Sequence, residues 1–257
     1  MKSLNKKVAI ITGAGQGIGE AIASKLAAEG FRVVIAEINS QTGTECALKI
    51  KQAGGQALFI RTDITKETEI KAMVAKTILT FGSLDILVNN AGKNVFYNAV
   101  NMTEAEWDAT MNLDLKAAWL CAKHAIPEML KNGNGSIINI ASIHARLTIP
   151  GMFPYAAVKS GLIGLTRSLA LDWGPKKIRV NAICPGWVRT KLVDEWLQMQ
   201  ADPISAEKEV NRVHALRRMA QPEEIANFVA FIASNEASFI TGAELYIDGG
   251  LSAQFAT

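Results

Sequence analysis

Short apolar runs alternate with helix-like segments along almost the whole of this 257-residue chain. The runs are rich in β-branched residues and span residues 7–12, 32–37, 57–61, 84–88, 135–140, 179–184 and 245–247. Strands that are apolar on both faces are typical of a parallel sheet covered by helices on each side. No break in composition divides the chain. We therefore predict one α/β domain over residues 1–257, with about seven strands.

The intervening segments have the apolar periodicity of helices. The first helix ends near Gly30, and the others span residues 40–53, 66–81, 103–130 and 155–173. Pro127 is expected to disturb the last turns of the helix at 103–130. A longer, mixed segment at 187–219 is expected to form a small helical lid over a substrate. Ligands of such folds bind beyond the carboxyl ends of the strands, so motifs that follow strands should converge there.

Composition argues against several classes of function. The net charge is +3 and the charges are scattered, so nucleic acid is not an expected partner. No apolar run reaches membrane-spanning length, and the one near the start is too short for a secretion signal. Three cysteines and three histidines show neither a disulfide framework nor metal-ligand spacing. We expect a cytoplasmic protein that binds neither metals nor membranes.

Three residues near the middle of the chain suggest proton transfer. Tyr155 and Lys159 are four residues apart, so on a helix they share one face, and the ammonium favours the phenolate form of the tyrosine. Ser142, after the preceding strand, can hold a substrate oxygen. The alternative is a solvated pair, but the surrounding helix is apolar on most sides, and a buried lysine needs a partner. We predict general acid/base chemistry coupled to a hydride-carrying cofactor.

A glycine-rich turn, Gly13–Gly19, separates the first strand from the first helix. Its glycines let a pyrophosphate approach the backbone at a helix N-terminus, and the Lys-Ser/Thr pair of a P-loop is absent. Glu37 ends the second strand, where a carboxylate accepts hydrogen bonds from a ribose diol and repels a 2′-phosphate. The alternative is a solvated loop glutamate. Since Gln16 and Ile38 are uncharged, we predict NAD rather than NADP as cofactor.

Taken in order, these motifs resemble the classical short-chain dehydrogenase/reductase family over nearly the whole chain. The matching pieces are TGAGQGIG at 12–19, Asp63, NNAG at 89–92, Asn112, Ser142, Tyr155 with Lys159, NAICPG at 181–186, Thr190, PEEIA at 222–226 and TGAELYIDGG ending at Gly250. The resemblance implies a single-domain Rossmann fold and an alcohol dehydrogenase or ketoreductase that acts on CH–OH groups.

The resemblance also implies roles for individual residues. The catalytic set would be Asn112, Ser142, Tyr155 and Lys159, with Tyr155 as general acid/base and the backbone of Asn112 supporting a relay water. The cofactor set would be Gly13, Gln16, Gly17, Ile18, Gly19, Glu37, Asp63, Ile64, Asn90, Ala91, Gly92, Tyr155, Lys159, Pro185, Gly186, Val188 and Thr190. In that set Asp63 and Ile64 would flank the adenine, and residues 185–190 would hold the nicotinamide carboxamide.

The substrate is harder to infer. We expect a pocket formed by Asn94, Ser142, His144, Met152, Tyr155 and Trp187. His144 and Trp187 resemble positions in D-3-hydroxybutyrate dehydrogenases, but Met152 replaces the carboxylate-binding lysine of that group, and Asn94 and Trp196 replace its glutamines. The stretch SIHARLTIPGMFPY also resembles sugar 1-dehydrogenases. A small sugar or polyol is therefore expected ahead of a short hydroxy acid.

Two other functions remain open. A 3-oxoacyl-thioester reductase fits the same motifs but is disfavoured by Glu37, because reductive members of the family usually favour NADP. A non-catalytic NAD-sensing protein could use the same fold, although such a protein would be expected to lose catalytic residues.

The long helix predicts self-association. One apolar stripe is formed by Trp107, Met111, Leu115 and Trp119, and a second face by Leu113, Ala117 and Leu120. A single sheet buries only one of these faces, and the other needs a partner. In the family this helix and the Tyr155 helix pack across a two-fold axis. We expect a homotetramer, or at least a dimer.

Overall fold

The computed structural model describes residues 7–254; residues 1–6 and 255–257, which the single-domain prediction also covers, lie outside the described residues. The strands are β1 Val8–Thr12, β2 Arg32–Glu37, β3 Gln56–Arg61, β4 Ile86–Asn89, β5 Phe96–Tyr97, β6 Gly135–Ile140, β7 Phe153–Pro154, β8 Ile178–Pro185 and β9 Glu244–Ile247. Seven of them form a parallel sheet in the order β3-β2-β1-β4-β6-β8-β9, which confirms the predicted fold class. The short antiparallel pair β5–β7 was not predicted.

The helices are α1 Gly17–Ala28, α2 Ser40–Gln52, α3 Glu67–Phe81, α4 Glu104–Met111, α5 Ala117–Asn132, α6 Tyr155–Trp173, α7 Lys191–Gln198, α8 Pro203–Arg212 and α9 Pro222–Ala233. A π-helical segment, Asn112–Lys116, joins α4 to α5, and short 3₁₀ turns lie at Ile143–Ala145, Gly174–Lys176, Asn235–Ala237 and Leu251–Ala253. Between residues 7 and 254, none of the helices is long and apolar enough to cross a membrane.

The central strands are buried along almost their whole length and are mostly apolar, because each contributes to two cores. In β1, Ala9 and Ile11 pack with α1, α2 and α9 on one face of the sheet, and Ile10 packs with α3 and α5 on the other. Successive side chains of a strand point to opposite faces, so a sheet covered on both sides needs this pattern. The helices thereby leave the two ends of the sheet free for loops.

The long helix differs from its prediction. Thr103 begins it with a capping box, in which Thr103 and Glu106 each accept a backbone N–H from the other. About two turns later the π-helical segment inserts an extra residue, with the N–H of Ala117 donating to the carbonyl of Asn112. The helix continues through Pro127 and ends at Gly133, whose φ is +74°. The disturbance therefore lies near the middle of the helix, and not at Pro127.

The region predicted as a lid contains α7 and α8. Leu197, Val210 and Met219 are buried together, and Trp187, Val193 and Trp196 pack against them. This small cluster is separate from the two cores of the main sheet. The helical character predicted for residues 187–219 agrees with the structure, and closure over a substrate stays a prediction.

Candidate active site

The glycine-rich turn after β1 is shaped for close approach to its neighbours. Gly13 has a φ of +62°, and a Cβ atom added to it would lie 2.8 Å from the Cα of Ala91. A Cβ on Gly19 would lie 2.2 Å from the carbonyl oxygen of Gly13. Gln16 precedes α1 without a side-chain cap among the described residues, so the first N–H groups of that helix, from Gly17 and Ile18 onward, are available to an anion. These features fit a dinucleotide pyrophosphate.

Glu37 lies against this turn. One carboxylate oxygen, Oε2, accepts the N–H of Gly15 at 3.1 Å, and Oε1 accepts the N–H groups of Ile38 and Asn39 at 2.8 and 3.0 Å. These bonds fix the carboxylate at the carboxyl end of β2 while Oε2 keeps acceptor capacity. Ile38, beside it, is 53% exposed. The ribose-binding role of Glu37 stays a prediction.

The loop after β4 is attached to the same turn. The side chain of Asn90 donates to the carbonyls of Thr12 and Gly13, each at 3.0 Å, and the hydroxyl of Thr12 accepts the N–H groups of Asn90 and Ala91. Strands β1 and β4 are neighbours in the sheet, so their carboxyl ends bring these loops together. Asn90, Ala91 and Gly92 thus lie at the edge where the prediction put them.

After β3, Asp63 and Ile64 have different surroundings. Oδ1 of Asp63 accepts the hydroxyl and the N–H of Thr65 at 2.7 and 3.0 Å, and these bonds hold the pKa of Asp63 below its ordinary value. Ile64 is only 6% exposed and packs in the core. Their predicted role beside an adenine stays a prediction.

The loop after β8 lies at the same carboxyl edge of the sheet as the glycine-rich turn. Thr190 caps α7 by accepting the N–H of Val193, and its methyl group lies near Gly17. Val188 forms a bridge with Ala220. Pro185, Gly186, Val188 and Thr190 thus lie at the carboxyl end of β8 or just after it, and Thr190 is near the glycine-rich turn. Their role at the nicotinamide end of the cofactor stays a prediction.

Ser142 and Tyr155 lie at the carboxyl end of β6 and the start of α6. The hydroxyl oxygen of Ser142 accepts the N–H of His144 at 3.2 Å, which leaves its proton free to donate to a substrate oxygen. The side chains of Ser142 and Tyr155 are 8% exposed. The ring of His144 meets that of Tyr155 edge-on at 5.8 Å between centroids. His144 thus contacts both of the others, through its backbone N–H to the Ser142 hydroxyl and through its ring to the Tyr155 phenol.

Lys159 lies beneath this group. Its Nζ is 5.4 Å from the centroid of the Tyr155 ring and donates to the carbonyl of Ile140 at 3.2 Å. The predicted need for a partner is met by Asp114, whose Oδ1 is 3.8 Å away. Asp114 was missed from the sequence, where the available signals were an acid within an apolar helix and a lysine that needed a partner.

The structure places Asn112 differently from Asp114. Asn112 begins the π-helical segment, and its carbonyl already accepts the N–H of Ala117. Among the described residues it is Asp114, and not Asn112, that pairs with Lys159. The water-binding role of Asn112 stays a prediction.

The residues predicted to bind substrate occupy several loops. His144 is held by Thr148, whose hydroxyl is 3.0 Å from Nδ1, and burial lowers the pKa of His144. Met152 is buried just before β7, and Asn94 is exposed just before β5. The ring of Trp187 packs on that of Trp196 in the lid, at 5.2 Å between centroids. His144 is the member that lies against Tyr155.

His214 is a further residue that sequence reasoning missed. It is 1% exposed, its ring Nδ1 is 2.9 Å from the carbonyl of Val210, and its Nε2 accepts the N–H of Trp187 at 3.2 Å. These bonds join the end of α8 to the loop after β8. No spacing in the sequence links these positions, so only the folded chain reveals the contact.

Comparison with known proteins supports a single family. A family profile described as enoyl-(acyl carrier protein) reductase matches residues 13–252. The chain is 42% identical to the short-chain dehydrogenase/reductase AstE of Aspergillus oryzae, over 97% of this chain and 96% of the relative. It is 37% identical to the 3-oxoacyl-[acyl-carrier-protein] reductase FabG of Staphylococcus aureus, over 95% and 98%. A crystal structure of an actinorhodin polyketide ketoreductase variant with NADPH superimposes with a TM-score of 0.94 at 30% identity, covering 99% of this chain and 100% of that one.

Proposed function

The chain belongs to the short-chain dehydrogenase/reductase family, and on that premise we propose that it is an NAD-dependent oxidoreductase acting on a secondary or anomeric alcohol of a small polar substrate. The observation that carries this proposal is the set of contacts joining Ser142, Tyr155 and Lys159. His144 contacts both the Ser142 hydroxyl and the Tyr155 ring, and the Lys159 ammonium lies 5.4 Å from the centroid of that ring. A non-catalytic NAD-binding protein would have no need of such a group. The bound nicotinamide supplies the hydride acceptor or donor.

The chain's own residues handle the proton. The Ser142 hydroxyl donates to the substrate oxygen, which orients the carbinol carbon toward the cofactor side of the pocket. The Tyr155 phenolate takes the hydroxyl proton during oxidation and returns it during reduction. Lys159 stabilises the phenolate, since its buried ammonium lies 5.4 Å from the ring centroid.

Glu37 supports the choice of NAD. Its carboxylate is fixed by three backbone N–H groups at the carboxyl end of β2, so it cannot swing away from an approaching 2′-phosphate without losing them. Ile38 offers no compensating charge. A ribose diol fits this position because its hydroxyls donate to carboxylate oxygens.

A sugar or polyol fits the substrate side best. His144 presents an imidazole beside Tyr155 that can bond a second substrate hydroxyl. The missing lysine at Met152 argues against a substrate held by its carboxylate. The second candidate is a 3-oxoacyl-thioester reductase, favoured by the likeness to FabG and to a polyketide ketoreductase that binds NADPH.

A substrate panel distinguishes these candidates. Aldoses, polyols, short 3-hydroxy acids and acetoacetyl thioester are each assayed with both cofactors by nicotinamide absorbance. We expect NAD-linked oxidation of a sugar or polyol to have the highest kcat/KM. Fast NADPH-dependent thioester reduction with inert sugars would overturn that ranking. Tight NAD binding without turnover on any member would favour the sensing function.

We propose further that the protein works as a cytoplasmic homotetramer. Trp107 and Trp119 of the long helix are 37% and 44% exposed, which supports a missing partner surface.

Burial raises the pKa of the free thiols of Cys46, Cys121 and Cys184 to about 12, which suits unreactive thiols in a reducing compartment.

A further inference from the structure

A buried carboxylate lies next to the proposed catalytic lysine. Asp114 belongs to the π-helical segment between α4 and α5 and is 3% exposed. Ionised groups are rarely buried unless they are paired, because leaving water costs several kcal/mol. Single π-helical turns inside α-helices are frequent at functional sites. Asp114 therefore needs a reason for its position.

The two oxygens of Asp114 have unequal surroundings. Oδ1 accepts the backbone N–H of Lys93 at 2.9 Å and lies 3.8 Å from Nζ of Lys159. Oδ2 is buried without a hydrogen-bond partner among the described residues. A Cβ on Gly92 would lie 2.3 Å from Oδ1, so the chain leaves room for the carboxylate only because residue 92 is glycine.

The charges around Asp114 come from two elements. Helix α6 contributes the Lys159 ammonium, with the Tyr155 phenol beyond it. The loop after β4 contributes the backbone N–H of Lys93, whose own side chain is exposed. Burial raises the pKa of Asp114, and Lys159 opposes that rise by favouring the carboxylate.

We propose that Asp114 is a positioning residue that holds the Lys159 ammonium beneath Tyr155 and offsets part of its positive charge. This rests on the proposed function of Tyr155 as general acid/base. Lys159 is then fixed from two sides, by the carbonyl of Ile140 and by the carboxylate. The counter-charge sets how strongly Lys159 favours the phenolate, and hence the pH range in which Tyr155 accepts a proton.

The first test is Asp114→Asn, which keeps the shape and the acceptor for Lys93 but removes the charge. The rate of alcohol oxidation is measured against pH at saturating cofactor. Because the offsetting charge is gone, we expect the midpoint of the rising limb to move to lower pH by about one unit. Asp108→Asn makes the same change on the exposed surface of α4 and is expected to leave the midpoint in place. An unchanged or higher midpoint in Asp114→Asn overturns the proposal.

The second test needs no turnover. Lys159→Met leaves the Asp114 carboxylate buried without its cation. The Tm of this variant should therefore be at least about 5 °C below that of the wild-type protein. Adding Asp114→Asn to that variant should recover half or more of the loss. If the double variant lost as much Tm as the two single variants together, the charge pair would be contradicted. Such additive losses are what a passive packing role of Asp114 predicts.

These readouts separate failure of the proposal from failure of the proposed function. If the wild-type protein turned over none of the panel, the proposed function would fail while the Tm cycle still tested the pair. The effect on Tyr155 would then be read from the near-ultraviolet phenolate absorbance that Tyr155→Phe abolishes. A lower midpoint of that absorbance in Asp114→Asn supports the proposal, and an equal or higher midpoint refutes it.

Discussion

At the scale of single residues, variants of Tyr155 and Lys159 distinguish the proton-transfer step from cofactor binding. Tyr155→Phe removes the transferable proton and little volume, so we expect kcat to fall by about 100- to 10,000-fold while NAD binding is retained. Lys159→Met should weaken both, because Lys159 also belongs to the predicted cofactor-binding set. Turnover and cofactor titration by fluorescence check this. Activity above a few per cent of wild type in Tyr155→Phe would remove Tyr155 from the mechanism.

Cofactor choice is also a residue-scale property. Replacing Glu37 by Ser and Ile38 by Arg removes a fixed carboxylate and adds a guanidinium for a 2′-phosphate. A hydrogen bond to a charged group contributes about 1.5–3 kcal/mol, so the NADP-to-NAD ratio of kcat/KM should rise about 10- to 100-fold. Ile38→Leu is the matched control and should keep the wild-type ratio. A wild-type enzyme that already prefers NADP would refute the assignment of Glu37.

At the scale of elements, the sequence predicted the regular parts of the fold. The strands agree with the apolar runs to within one or two residues because a sheet buried on both faces needs mostly apolar strands. The π-helical segment could not be predicted, since its residues fit an ordinary helical period and only the folded contacts show the insertion. Asp114 belongs to that segment and is buried there, which the apolar period alone did not indicate.

The connection between the lid and the sheet gives an element-scale prediction. His214 is held neutral, because burial lowers its pKa and Nε2 accepts the N–H of Trp187. With the folded pKa lower than that of the unfolded chain, its stability contribution is complete above about pH 6.5 and is lost as the pH falls further. Unfolding free energy should therefore drop with acidification by at most ~1.4 kcal/mol per pH unit for this group.

Denaturant titrations between neutral and mildly acidic pH measure this slope. His214→Gln is expected to be less stable at neutral pH and to show a shallower pH dependence. His144→Gln is the comparison. Burial also lowers the pKa of His144, so this variant should make the pH dependence of the unfolding free energy shallower in the same direction. A slope unaffected by His214→Gln would show that the ring is not the titrating link.

At the scale of the whole molecule, function depends on strand order. Neighbouring strands β2, β1, β4 and β6 carry their polar residues at one edge of the sheet. Residues 100 or more positions apart in sequence, such as Glu37 and Ser142, thereby lie at the same edge of the sheet. The motifs predicted this convergence, but the detailed contacts of the substrate loops depend on side-chain packing that no spacing encodes.

The exposed face of the long helix yields the last prediction. Trp119 is 44% exposed with Lys123 over its ring, and a two-fold interface through this face would contain each substitution twice. A central tryptophan contributes about 2 kcal/mol or more per copy, so Trp119→Asp should raise the dissociation constant at least ~1,000-fold. Light scattering at micromolar concentration should give a wild-type mass that is a multiple of 27.7 kDa and a smaller one for Trp119→Asp. Leu79→Asp, on the exposed side of α3, is the matched control and should leave the mass unchanged. A monomeric wild-type protein would show that the exposed tryptophans have another use.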